Sequence, residues 1–179
     1  MRKVAGALLL VSLASGAYLV ATIGTAARYL ADSVRKPEPA AGRIDVAARD
    51  GALRFTVGRV RCGATQVGTR RLGQRARGEF CMVPIAVTNV SATACFLPAG
   101  SQHAFDADGV AFTPDGAAAL YADDRNRKLL ETIEPGHRVR GTLVYDVPTA
   151  GRLASIVLHG TEHSPGVRIP LRSVASGDD

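Results

Sequence analysis

Cys62 and Cys81 close off a stretch that carries Arg70, Arg71, Arg75 and Arg77, and these residue types invite chemistry more than any others in the chain. Two thiols can form a covalent bridge, and guanidinium groups can hold phosphate or carboxylate oxygens. Arg59 and Arg61 lead into Cys62, and no acid lies between Asp50 and Glu79. One reading is a mobile cationic loop that meets polyanions such as lipid headgroups, anionic wall polymers or an acidic partner protein. The other is a solvated loop with no ligand. A second candidate is "HGTEHS", where His159 and His163 flank Glu162 and a turn could bring both imidazoles together. Only two or three ligands are visible there, and a closed zinc site takes four.

The remaining candidates are weaker. "DADG" over residues 106–109 has the start of a calcium loop but lacks the later oxygen ligands and the terminal glutamate, so it reads as a hairpin turn. Neither a Gly-x-Ser-x-Gly elbow nor a Cys–His pair in a plausible context is present. Ser101 and His103 sit close in sequence without a third partner. "YADDRNRK" reads as a charged, exposed loop, and Pro135-Gly136 as a turn before a strand. No catalytic residue and no cofactor is expected.

The elements that would position these groups are short strands. In "LRFTVGRVRC", Leu53, Phe55 and Val57 share one face; Gly58 marks a bulge, after which Val60 and Cys62 share a face. In "CMVPIAVTNV", Cys81, Val83, Ile85 and Val87 alternate with Met82, Pro84, Ala86 and Thr88, and Pro84 requires an edge or a bulge near that point. "HAFDADGVAF" is a hairpin, and "RVRGTLVYDVP" places Val139, Leu143, Tyr145 and Val147 on one face. "LASIVLHG" and "GVRIPLR" supply the last strands, and "DGAAALYADD" a helical turn capped by Asp115. About eight strands without a long amphipathic helix suit an antiparallel β-sandwich. Its large core pieces are expected to be Phe55, Phe80, Phe96, Phe105 and Phe112, since tryptophan is absent. Cys62 then ends one strand and Cys81 begins another, both in phase with the core set, which suits a bridge. Cys95 is left over, read as a buried thiol behind Phe96 or as a group that pairs with another molecule.

Charge and hydropathy set the location. The formal charge of the 179-residue chain is +6, but residues 1–43 hold six basic and two acidic groups, leaving 16 basic and 14 acidic for the rest. The body is nearly neutral, which gives no general nucleic-acid footprint. Arg2 and Lys3 precede 24 uncharged residues that end before Arg28. About 20 apolar residues cross the hydrocarbon core, and the positive-inside bias keeps Arg2 and Lys3 cytoplasmic. Residues 1–27 are read as a single-pass transmembrane signal anchor with the later domain outside. The alternative is a signal peptide cleaved after Ala17 or Ala27, which would release a secreted protein. Residues 28–43 form the linker, 44–172 the sandwich and 173–179 a disordered tail. Outside the cytoplasm a Cys62–Cys81 bridge should be oxidised.

From about Ile44 to Arg172 the chain resembles the telokin-like, immunoglobulin-fold domains of unknown function on actinobacterial surface and secreted proteins, the group of the mycobacterial immunoprotective extracellular protein. The carrying segments are "RFTVGRVRCG", "GEFCMVPIAVTNV", "AFDADG" and "IEPGHRVRGTLVYDVP" followed by "LASIVLHG". The resemblance implies an immunoglobulin-like sandwich, an extracytoplasmic location and Cys62 with Cys81 as the family's cysteine pair. It implies no catalytic residues, and Cys95 departs from its pattern. The function expected is a noncatalytic, membrane-anchored interaction module whose partner is an envelope protein or an anionic wall polymer. The alternative is an extracytoplasmic metal-binding protein using His159 and His163.

Overall fold

The computed structural model describes residues 38–148 and 152–171. The anchor expected over 1–27, the first part of the linker and the tail lie outside those residues. Among the described residues no helix is long and apolar enough to cross a membrane.

Ten strands among the described residues fall into two sheets. In the first, β1 (Ala40–Ala41), β10 (Val167–Pro170), β9 (Ser155–Leu158), β6 (His103–Phe105) and β7 (Ala111–Phe112) lie side by side in that order. The second is built on β5 (Gly73–Asn89), which is 17 residues long. Along one edge of β5 run β3 (Leu53–Val57) and then β4 (Arg61–Gly68); β2 (Ala48–Asp50) pairs outside β3, and β8 (Arg138–Val147) pairs along the opposite edge. The pairing is antiparallel apart from β1, which runs parallel to β10. Ala40 and Ala41 lie inside the stretch read as linker, and Gly42 lets the chain leave this sheet for the other: an added Cβ would sit 3.0 Å from Ile169 and 3.2 Å from Ala48.

Pro84 sits in the middle of β5, where a missing N–H should break a ladder. Its carbonyl accepts from Gly58 N–H at 2.9 Å, so its hydrogen-bonding side faces the gap between β3 and β4. The ladder to β8 passes Pro84 undisturbed, with Thr142 opposite. The bulge expected at Gly58 and the break expected at Pro84 are one feature seen from two strands.

The core lies between the sheets. Leu53, Phe55 and Val57 join Cys81, Val83, Ile85 and Val87 and, from β8, Leu143, Tyr145 and Val147. Facing them are Ala104, Ile156, Leu158, Val167 and Ile169. Each large aliphatic side chain buried here contributes about 1.5–3 kcal/mol. The aromatic inventory needs correction. Phe55 and Phe80 are fully buried, but Phe96 is 63% exposed and does not belong to the core. Cys95 is a half-buried free thiol packed against the main core, and its backbone is held by an isolated β-bridge to Ile133.

A second, smaller core lies on the far side of the β5 sheet. Val67, Phe80, Val144 and Ala118 cluster there with Ala64, Ala76, Met82, Ala119 and Ala122. Ala118, Ala119 and Ala122 belong to α1 (Gly116–Ala122), whose N-cap Asp115 accepts from Ala118 N–H at 2.9 Å. A seven-residue 3-10 segment, Asp124–Leu130, follows and covers the free edge of β8. The Asn126 amide stands in for a neighbouring strand there: Oδ1 accepts from Thr142 N–H at 2.6 Å and Nδ2 donates to Thr142 O at 2.9 Å.

Candidate functional site

The arginine stretch is a β-hairpin, so the expected loop between two strand ends is corrected. Arg61–Gly68 and the first half of β5 pair with each other, with Val67 opposite Gln74 and Gly68 opposite Gly73. Cys62 lies in β4 and Cys81 in β5, their Cα atoms 4.0 Å apart, and their sulfurs are bonded. The bridge staples adjacent strands at the base of the hairpin rather than tethering a free loop. The tip is closed by Thr69, whose N–H donates to Leu72 O at 2.8 Å and whose Oγ1 accepts from Leu72 N–H at 3.0 Å. Gly68 takes φ +78°, which a side chain would strain.

Between the two cysteines the large aliphatic residues are Val67 and Leu72. Leu72 is 70% exposed and contributes nothing. Val67 is buried, with Ala64, Ala76 and Phe80, against α1. Gln74 Nε2 also donates to Asp115 Oδ2 at 2.6 Å, which ties the hairpin to the helix cap. The arginines therefore stand on a braced arm.

Between the pairs Ala64–Phe80 and Gln66–Arg75, β5 carries three more residues than β4 and bulges. Asp146 fills that bulge. Its carboxylate accepts from Arg77 N–H at 2.9 Å and from Gly78 N–H at 3.1 Å, and Arg77 Nε lies 3.5 Å away. Burial alone pushes the Asp146 carboxyl up; the two backbone donors and the Arg77 guanidinium outweigh it and hold the carboxyl below its ordinary value. Arg70, Arg71, Arg75 and Arg77 are all exposed. Among the described residues the ion pairs are Arg77–Asp146, Arg125–Asp123 and Lys128–Glu131, so Arg70, Arg71 and Arg75 hold no acid.

The two histidines are not brought together as ligands. His159 is buried, its Nδ1 lies 2.9 Å from Ser164 O, and its N–H donates to Gln102 Oε1 at 2.8 Å. His163 is exposed. Among the described residues no three of His, Cys, Asp and Glu are grouped to hold a metal. Asp106 Oδ1 in "DADG" accepts from Asp108 N–H at 3.0 Å and Val110 N–H at 2.8 Å, and so closes the β6–β7 hairpin. Ser101 and His103 form no hydrogen bond with each other; His103 Nδ1 is buried without a partner.

Two arrangements escaped the sequence reading. Asp50, Ser164 and His159 come together by composition as a hydrolytic set would, but the connections differ. Ser164 Oγ donates to Asp50 Oδ2, which also accepts from Gly160 N–H at 2.6 Å. The imidazole meets the Ser164 carbonyl instead of its hydroxyl, so the serine–histidine contact of a hydrolytic triad is not formed, and the hydroxyl is spent on Asp50. The cluster ties the β9–β10 loop to β2. The other arrangement is a set of arginines, Arg49, Arg54, Arg138 and Arg140, on the outer face of the β5 sheet. Their i, i+2 spacing in "RVRG" was the available signal.

The family model of a domain of unknown function, DUF4352, matches residues 42–164. Among solved structures, the secreted protein MPT63 of Mycobacterium tuberculosis is similar with a TM-score of 0.56 and 12% identity, over 74% of this chain and 97% of that one. The yjhA protein of Bacillus subtilis gives 0.54 and 14%, over 73% and 99%. A conserved hypothetical protein of Bacillus anthracis gives 0.52 and 20%, over 65% and 88%. Identities this low carry a likeness of fold, the β-sandwich. No curated protein sequence matches the chain.

Proposed function

The chain belongs to the DUF4352 family of domains of unknown function, and on that premise we propose that it is a noncatalytic, membrane-anchored module outside the cytoplasm that binds an anionic envelope polymer through its arginine hairpin. The observation that carries this reading is the braced hairpin itself. Arg70, Arg71, Arg75 and Arg77 are exposed on an arm fixed by the Cys62–Cys81 bridge and by α1. A pre-organised cationic arm binds without first having to be ordered. The immunoglobulin-like and telokin-like character rests on the sequence segments named above.

The outside location is supported by the bridge, since disulfides persist in oxidising compartments, and by the uncharged run behind Arg2 and Lys3. Intact mass of protein extracted from its native membrane tests it. A full-length mass with one disulfide supports the tethered module; a mass lacking the first 17 or 27 residues makes the protein a secreted one. For binding, the full-length R70Q/R71Q/R75Q/R77Q variant should lose salt-sensitive retention on purified envelope polymer. Each basic residue near an anionic surface contributes about 1 kcal/mol, screened by salt. Unchanged retention refutes the hairpin as the contact.

A further inference from the structure

We propose that the outer face of the β5 sheet is a second binding surface, a row of arginines that takes a linear phosphodiester polymer. The pairing fixes the row. Arg49 lies opposite Arg54, Arg54 opposite Thr88, and Thr88 opposite Arg138, so these four cross β2, β3, β5 and β8 in one line. The next line outward holds Thr56, Ala86 and Arg140. With strands about 4.8 Å apart and alternate residues about 6.8 Å apart, the row is about 14 Å long and Arg140 lies one step beside it. The residues between these positions, Phe55, Val87 and Val139, point into the core, which leaves the arginines on the solvent side.

Charge is the reason to read a ligand here. Like charges directly opposite in a sheet destabilise it, yet Arg49 and Arg54 are direct partners. None of the four arginines has an acid partner among the described residues; Arg49 Nε donates only to Gly51 O at 2.8 Å. A bound polyanion removes that repulsion. Arginine's planar fork grips phosphate through two parallel N–H bonds, and the Thr88 hydroxyl adds a neutral donor mid-row. A shallow depression of about 190 Å³ next to the row is lined by Arg140, Arg125, Thr56 and Ala86, together with one acid, Asp45. Arg125 is committed to Asp123 there, so Arg140 supplies the available charge.

The form of the face selects a polymer over a protein. Between the arginines stand Thr56, Ala86 and Thr88, with no aromatic or large aliphatic residue to anchor a protein interface. A straight row of cations on a rigid sheet matches an extended chain with one anionic group per repeat. This deepens the envelope-binding reading and rests on it, while using a surface distinct from the hairpin.

The test is a titration of full-length protein, in neutral detergent, with poly(glycerol phosphate) at several salt concentrations. R54Q/R138Q/R140Q should bind at least about tenfold more weakly. Its slope of log affinity against log salt should fall by about 2, roughly 0.7 for each phosphate no longer neutralised. Melting at low ionic strength should not decline, because R54Q removes the Arg49 repulsion, and this separates weakened binding from weakened folding. Binding like wild type overturns the proposal. So does weakening confined to R70Q/R71Q/R75Q/R77Q, which leaves the hairpin reading standing, or binding to anionic lipid vesicles with none to the polymer. Wild-type protein that binds no anionic polymer sinks both readings together.

Discussion

Replacing Asn126 by alanine removes the side chain that finishes the β8 edge, and its cost can be worked from three hydrogen bonds. Asn126 is 3% exposed. Its Oδ1 accepts from Thr142 N–H at 2.6 Å; its Nδ2 donates to Thr142 O at 2.9 Å and to Ala119 O at 2.5 Å. Because Pro84 stands opposite Thr142, both Thr142 backbone groups face away from β5 and have no strand to meet. Asn126→Ala therefore orphans two buried groups outright. Ala119 O keeps a longer bond from Asp123 N–H at 3.3 Å. Two orphans at about 1.5 kcal/mol each give about 3 kcal/mol of destabilisation. For a domain of this size that lowers Tm by about 10 °C. Urea denaturation gives the free energy, and hydrogen exchange at Thr142 N–H locates the effect. A change below about 1 kcal/mol, or unaltered Thr142 protection, refutes the edge-capping role.

Opening the Cys62–Cys81 bridge by C62A/C81A should cost about 3 kcal/mol in the chain-entropy picture, given 19 residues of separation, measured as a lower urea midpoint. Tyr145→Phe removes the hydroxyl that donates to Gln102 O at 2.8 Å in the core, and should cost about 1–2 kcal/mol by the same assay. Asp146 and Asp123 both have carboxyls held below their ordinary value, Asp123 chiefly by its hydrogen bond to Arg125. A depressed folded-state value contributes stability that is present above about pH 4 and lost as pH falls through it. Acid denaturation of Asp146→Asn should accordingly show a shallower fall below about pH 4 than wild type. Gly78→Ala would push a Cβ into the Val147 carbonyl, and should broaden or shift the hairpin's amide signals while leaving those of β9 and β10 in place.

Alternation made most of the sandwich legible. The odd positions from Cys81 to Val87 and the face from Val139 to Val147 are local facts about one strand, and both sets lie where the pattern placed them. Hydrophobicity alone ranks Phe96 as core, whereas here its neighbour Cys95 packs inward at the bridge to Ile133 and Phe96 is left exposed. The hairpin was missed because glycines and arginines carry little strand propensity. Its strands are held by a helix some 40 residues later, through contacts such as Gln74 to Asp115. The row Arg49–Arg54–Thr88–Arg138 was hidden for a similar reason. Each strand shows its own alternation, but which strands lie side by side, and in what register, is decided by pairing across long sequence separations. Asp50 and Ser164 are 114 residues apart, and no spacing rule joins them.

The central claim is that the arginine surfaces are the contact with an anionic polymer, and a hydrogen-exchange footprint of the full-length protein tests it most directly. With purified envelope polymer added at low salt, amide protection should rise over residues 69–77 and along the outer edge of β2 and β3, and should fade as salt is raised. Protection confined to the opposite sheet, around β6, β9 and β10, or no change in the hairpin at saturating polymer, contradicts the account.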